Sequence, residues 1–252
     1  MRKETIIFKS REEIEIMRRA NLTVAGVLGV LKSSVRPGIT TLDLEHIAEE
    51  ELKKTGAKPA FKGYRGYPWC LCTSVNNEVV HGMPSRRALA EGDIVSIDFG
   101  VLSEGFYGDA ALTVPVGSVS QDAARLVRVT EESLEKAIEA AVVGNRLLDI
   151  SAAVQGYVES HGFSVVREFV GHGIGRELHE APQVPNFGVP GRGIRLKAGM
   201  VLAIEPMINM GAPDVKILDD GWTAVTADGS LSAHFEHTVA ITDDGPYVLS
   251  RP

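Results

Sequence analysis

PGITTLDLEHIAEEELKKTGA (Pro37–Ala57) and VGNRLLDISAAVQGYVESHGF (Val143–Phe163) share one skeleton: Gly38 falls on Gly144, Leu42-Asp43 on Leu148-Asp149 and Gly56 on Gly162, all at an offset of 106. A second pair follows at an offset of 107, where EGDIVSIDFG aligns with AGMVLAIEPM and sets Gly92 on Gly199, Ile97 on Ile204 and Asp98 on Glu205. A chain that repeats itself at this spacing reads as two related halves, approximately 1–115 and 116–252, within a single domain spanning 1–252.

Each half reads as two helices followed by strands. Ser10 with Glu13 forms a capping-box pattern, and Ile14, Met17, Val24, Leu28 and Leu31 give a helical apolar stripe that Arg36-Pro37-Gly38 ends. A second helix over Leu42–Lys54 stops at Gly56, after which WCLCTSV and DIVSIDF alternate as strands do. The second half predicts helices near Asp122–Val143 and Leu148–Glu159, then strands near Ser164–Phe169, Met200–Ile204 and His234–Ile241. The class is α+β, with helices covering one face of a curved antiparallel sheet.

Composition narrows the function. With 26 basic and 33 acidic residues the net charge is −7, and no basic run is long enough to track a phosphate backbone, so a nucleic-acid substrate is disfavoured. No apolar stretch reaches the length of a membrane span, and the Ile6–Phe8 patch is too short for a secretory signal, which predicts a cytoplasmic chain. Two cysteines, Cys70 and Cys72, are too close along one strand to pair, so no disulfide framework is expected.

The chemistry lies in acids placed at strand positions among core-type residues: Asp98 in VSIDFG, Asp109 in GFYGDAALTV, Glu205 in LAIEPM and Glu236 in SAHFEHTVAIT. A carboxylate in such surroundings must be paired or metal-bound. Adding His172 gives one nitrogen and four hard oxygen donors, a set suited to Mn²⁺, Fe²⁺, Co²⁺ or Zn²⁺, and four carboxylates match the charge of two divalent ions. The stretch EFVGHGIGRELHEAP (Glu168–Pro182) is not a dinucleotide loop, because Arg176 occupies the third glycine position. Nor is it a zincin helix, because Gln183 stands where the second histidine of HExxH belongs. Gly171, Gly173 and Gly175 read instead as backbone kept small beside a ligand or metal, with His172 and His179 aimed into it.

Taken together, SVNNEVVHGMP, DIVSIDFG, GFYGDA, EFVGHGIGRELHEAP, GMVLAIEP and DGWTAVTADGSLSAHFEHTVAIT closely resemble the type I methionine aminopeptidases over nearly the whole chain. The resemblance implies the duplicated pita-bread (creatinase/aminopeptidase) fold, with internal pseudo-twofold symmetry. It also implies metal-dependent removal of the initiator methionine from nascent proteins and peptides whose second residue is small, by water activated at a dinuclear centre.

On the residues that match, Asp109 and Glu236 would bridge two divalent metal ions (Co, Mn, Fe or Zn), His172 and Glu205 would complete one site, and Asp98 the other. Glu205 would take the water's proton, His179 would bond the scissile carbonyl, and His81 would contact the peptide nitrogen or backbone of the second residue and assist the leaving group. Tyr64, Tyr67, Cys72 and Trp222 fall on the methionine pocket. Departures occur at Leu178, where many bacterial members carry an aromatic, at Phe61, where a smaller residue can occur, and at His234, where some relatives carry glutamine.

The short intervals between His172, Glu205 and Glu236 exclude the helical insertion of type II enzymes, and the early first helix suggests a bacterial-type chain without a zinc-binding extension. Implied partners are nascent polypeptide N-termini and peptides, with transient ribosome contact and a monomeric state, and no membrane. Because Met1 precedes Arg2, the family's rule predicts that this chain retains its own Met1. The rival readings are a proline-directed aminopeptidase of the same fold, which usually carries an extra N-terminal domain, and a non-catalytic pita-bread binding protein, which would have lost ligands.

Overall fold

The computed structural model describes residues 5–252, so the expectation about Met1 lies outside the described residues. Helix α1 (Arg11–Ser34) begins with the expected box: the Ser10 hydroxyl accepts from the Glu13 N–H, and the Glu13 carboxylate accepts from the Ser10 N–H at 3.0 Å. Its stripe of Ile14, Met17, Val24, Leu28 and Leu31 is buried as the periodicity requires. Helix α2 covers Thr41–Lys53, α3 covers Gln121–Ala140 and α4 covers Leu147–Ser160. Helix α3 ends three residues before Val143, because the Asn145 side-chain amide donates to the Ala140 carbonyl at 2.9 Å and closes the last turn.

Nine antiparallel strands form the main sheet. Its order is Lys58–Pro59, Ile94–Ser103, Phe106–Pro115, Glu236–Thr242, Val201–Ile204, Gly171–Gly173 and Glu180–Val184, with Leu71–Val75 and Gly245–Val248 added alongside. That order is nearly symmetric about the seam between Phe106–Pro115 and Glu236–Thr242, where Glu236 pairs with Ala111 and His237 with Ala110. The same symmetry extends to single hydrogen bonds. Gly38 N–H donates to Leu89 O and Gly144 N–H to Leu196 O; Leu42 N–H donates to Ser85 O and Leu148 N–H to Arg192 O. Gly38 and Gly144 both adopt left-handed backbone, at φ 89° and 96°, which explains why the repeat keeps glycine there.

Strand alternation then sorts the side chains by face. Val95, Ile97 and Phe99 join the core under α1 and α2, while Leu202, Ile204, Val239 and Ile241 join the core under α3 and α4. Residues on the other parity, Asp98, Asp109, Glu205 and Glu236, are thereby turned away from the helices onto the concave face.

Two strand expectations change. Ser164–Phe169 contracts to Ser164–Val165, which pairs with Met207–Asn209 in a small separate sheet. His234–Ile241 is two strands, since the chain switches sheets at Phe235: Ser232–His234 pairs with Met207–Asn209, and Glu236–Thr242 with the main sheet. A second small sheet joins Glu78–Val80, Ala224–Thr226 and Val215–Ile217, and brings Trp222 toward the first half's aromatic residues. Among the described residues, no helix is long and apolar enough to cross a membrane.

Candidate metal centre

Every site residue singled out from the sequence lines one cavity of about 140 Å³: the five candidate ligands, His81, His179, and the four pocket residues Tyr64, Tyr67, Cys72 and Trp222. Asp109, His172 and Glu236, all buried, bring ligand atoms within 4.8 Å of one another. Glu205 follows the Val201–Ile204 strand directly, and its Oε1 lies 3.6 Å from His172 Nε2. Asp98 sits across the sheet from Cys72 on one side and Ala111 on the other.

These groups fit a cation by what they lack. Asp98 Oδ1, Asp109 Oδ1 and Glu236 Oε1 are buried without a hydrogen-bond partner among the described residues, an arrangement that a buried anion sustains only with a cation or a proton. Burial holds Asp98 up at about 7 and Glu205 up at about 8. Asp109 and Glu236 lie well above the usual carboxyl range, through burial first and neighbouring carboxylates second. His172 Nδ1 lies 2.9 Å from the Gly173 carbonyl, which can only accept. Nδ1 therefore carries the proton, and Nε2 keeps its lone pair for the centre. Burial keeps that ring neutral, lowering it to about 3.

Backbone anchors hold the ligands. The Asp109 N–H donates to Asn21 Oδ1 on α1, its carbonyl accepts from Thr238 Oγ1 at 2.8 Å, and Asn186 Nδ2 donates to the Glu205 carbonyl at 2.9 Å. Opposite Asp109, Gly100 leaves room for its carboxylate; an added Cβ would stand 3.1 Å from Oδ1 and 2.8 Å from Phe61 Cε1. Asn21, Thr238, Asn186 and Gly100 carried no local signal in the sequence, because each acts on a residue of another element.

The glycines of GHGIG play a different part from the one expected. A Cβ at Gly171 would stand 2.4 Å from Ala203 O, one at Gly173 would stand 2.2 Å from Ala181 O, and one at Gly175 would meet Lys9 and Glu180. They are small because neighbouring backbone and a buried Lys9–Glu180 ion pair crowd them, rather than to admit a ligand.

His179 stacks over Tyr64 at 5.2 Å and lies 4.3 Å from the His172 ring. The Tyr64 hydroxyl is 2.8 Å from His179 Nδ1; with that hydroxyl donating, Nε2 carries the proton and becomes a donor facing the cavity. Burial, helped by the Arg65 charge, lowers the His179 pKa and favours the neutral ring. His81 adopts a left-handed backbone, φ 61°, with its ring edge-on to Phe169 and Trp222. At the deep end, Tyr67 is fixed by its hydroxyl to the Leu71 and Gly82 carbonyls and meets Trp222 edge-on at 5.1 Å. Burial raises the Cys72 thiol and keeps it protonated, so this wall is soft and uncharged. Cys70 and Cys72 are both free. Phe61, Leu178 and Arg65 complete the lining, and Arg65 is the one member the sequence reading passed over.

Metallopeptidase family M24 matches residues 15–243. Methionine aminopeptidase from Clostridium perfringens is 60% identical over 245 residues, covering 97% of this chain and 98% of that one. The crystal structure of methionine aminopeptidase from Thermotoga maritima superposes with a TM-score of 0.97 at 51% identity, covering 98% of this chain and 100% of that one. The prolidase from Pyrococcus horikoshii, at 24% identity and TM-score 0.79, covers 97% of this chain and 63% of its own, and shares the fold alone. Ligand chemistry, sheet symmetry and full-length similarity therefore agree: the chain belongs to metallopeptidase family M24 and, within it, to the methionine aminopeptidases.

Proposed function

We propose that the protein removes the N-terminal methionine from nascent chains and peptides whose second residue is small, with two divalent cations held by Asp98, Asp109, His172, Glu205 and Glu236. Asp109 and Glu236 would bridge, His172 and Glu205 would complete one position, and Asp98 the other. The observation that carries this reading is the cluster of buried carboxylate oxygens without partners, beside a pocket walled by Tyr67, Cys72 and Trp222. A pair of divalent cations bound there would acidify water to a nucleophile near neutral pH and polarise the scissile carbonyl; Mn, Fe, Co and Zn all suit the donors.

The remaining steps belong to the chain. Glu205, beside His172 at the edge of the centre, is the base that takes the water's proton. His179 donates from Nε2 to the carbonyl oxygen as negative charge develops on it. His81, kept neutral by burial at about 4, contacts the peptide nitrogen of the second residue and supports its departure. The aromatic and thiol walls take the methionine thioether, and Asp98 receives the substrate's free amine beside the metals.

In this reading residues 1–252 form one catalytic domain of two halves, 1–115 and 116–252, working as a cytoplasmic monomer with transient ribosome contact. The test is methionine release from Met-Ala-Ser, beside Met-Lys-Ser and an Ala-Pro peptide, with Mn²⁺, Co²⁺ or chelator and with bound metal counted. Metal-dependent cleavage of Met-Ala-Ser alone is expected. Cleavage only before proline would overturn the specificity, and no cleavage with metal demonstrably bound would overturn the activity.

A further inference from the structure

The loop Phe61–Tyr67 ties itself down by backbone bonds. The Tyr64 N–H donates to Phe61 O, the Gly66 N–H to Gly63 O, the Tyr67 N–H to Tyr64 O and the Gly63 N–H to Tyr67 O. Inside it, Arg65 is held at φ 50°, ψ 22°, a left-handed conformation unfavourable for a residue with a Cβ. The side chain thus presented is exposed, and its guanidinium lies 5.4 Å from the Tyr64 ring. Among the described residues it makes no hydrogen bond or ion pair.

Its position explains what such a charge can meet. Arg65 lines both the metal cavity and a cleft of about 430 Å³ that adjoins it through His172 and His179. In the cleft the carboxylate of Glu180 is already engaged by Lys9 at 2.5 Å, which leaves Arg65 as the unspent formal charge along the described wall. In the aminopeptidase reading methionine sits between Tyr67, Cys72 and Trp222, which directs the rest of the peptide past His179 into this cleft. Ring to ring, His172 to His179 is 4.3 Å, His179 to Tyr64 is 5.2 Å, and Tyr64 to the guanidinium is 5.4 Å. The guanidinium is thus within about 15 Å of the His172 ring, a span that an extended peptide covers in about five residues or fewer.

We propose that Arg65 is a carboxylate-reading subsite for the substrate chain beyond its second residue, an inference that rests on the aminopeptidase reading above. Its ligand is a carboxylate, either an Asp or Glu side chain of the peptide or the C-terminal carboxylate of a very short one. A planar guanidinium suits that group better than a lysine ammonium does. Because the charge is exposed, its effect is modest and salt-dependent.

The test compares kcat/KM within each variant of the metal-loaded enzyme, for Met-Ala-Asp-Ala-amide against Met-Ala-Asn-Ala-amide, and for Met-Ala-Ser against its amide. For the wild type at low salt, a preference of about threefold to fivefold for the charged member of at least one pair is expected. It should shrink toward one in Arg65→Asn, which tolerates the left-handed backbone, persist in part in Arg65→Lys, and collapse in the wild type at about 1 M salt. A preference in the side-chain pair assigns the subsite to internal acidic residues, and one confined to the free-acid pair assigns it to short peptides. No preference in either pair, or one that Arg65→Asn leaves intact, overturns the subsite while methionine release continues. Failure of the wild type to cleave any of these peptides with metal bound overturns the aminopeptidase reading and the subsite with it.

Discussion

The two halves of the molecule share a frame and carry different loads. Asp98 lies in the middle of a ten-residue strand paired on both sides, whereas its counterpart Glu205 stands just past a strand of four. The first half contributes Asp98, Asp109, His81 and most of the aromatic and thiol wall of the cavity; the second contributes His172, His179, Glu205 and Glu236. What the repeat preserves is the geometry that turns a strand carboxylate onto the concave face. What it frees is the surrounding loop, which became an aromatic wall on one side and a histidine-bearing edge on the other.

Removing one of the two acids proposed to bridge the metals, one from each half, is the severest way to break this comparison. Asp109→Asn and Glu236→Gln should each lower kcat/KM on Met-Ala-Ser by about a thousandfold or more and reduce bound metal, measured by elemental analysis. Near wild-type turnover in either variant would mean that the halves do not share the centre.

Metal removal comes next. Chelation should lower the melting temperature by several degrees, and saturating Mn²⁺ or Co²⁺ should restore it, since the metal binds only the folded chain. The metal-free protein also carries a pH signature. Raised carboxyl pKa values mean that the folded, empty centre binds protons which the unfolded chain, near 4, has released. That contribution is present at low pH and lost as pH rises through the folded values, about 7 for Asp98 and about 8 for Glu205. The buried neutral rings of His172 and His81, at about 3 and about 4, act oppositely below their unfolded value near 6.5 and are spent above it. From pH 6.5 to 8, then, the metal-free melting temperature should fall, and the apparent metal affinity should rise as protons are displaced. A flat metal-free profile across that window would contradict the buried-carboxylate account.

Smaller effects sharpen the division of labour. His179→Ala in the second half should lower kcat by about a hundredfold with little change in metal content, because in the proposed mechanism it donates to the reacting carbonyl and holds no cation. A loss of bound metal in that variant would recast it as a ligand. At the bottom of the scale, Gly173→Ala should cost about 1 to 3 kcal/mol in denaturant unfolding, because its Cβ would collide with Ala181 O. The matched substitutions Gly56→Ala and Gly162→Ala, at φ 72° and 78° with open space around both, should each cost about 1 kcal/mol and agree closely if the frame is truly shared.

Much of this was readable from the chain itself, because local patterns carry it. Capping at Ser10 and the Gly38/Gly144 repeat are short-range signals, and strand parity alone separates Asp98 from Ile97 and Phe99. Contacts made across the fold were not legible. The sheet switch at Phe235 follows from competing partners at Met207 and Ala111, and Asn21 reaches Asp109 across 88 positions. The crowding at Gly171 and Gly173 comes from carbonyls on two neighbouring strands, at Ala203 and Ala181. Arg65 escaped notice because only the folded loop turns an ordinary surface residue over the mouth of the cavity.

The seam between the halves is short, with Ala110 and Ala111 facing His237 and Glu236 in the main sheet and Thr238 bonding across to Asp109. A cation gripped by Asp109 and Glu236 would therefore act as a removable cross-link, closing a loop of more than a hundred residues. Because such a cation leaves on unfolding, it stabilises by mass action, by roughly 4 kcal/mol when its free concentration is about a thousandfold above its dissociation constant. Occupancy of the centre would thus add a removable tie between the halves, beside the small sheet that joins Glu78–Val80 to Ala224–Thr226.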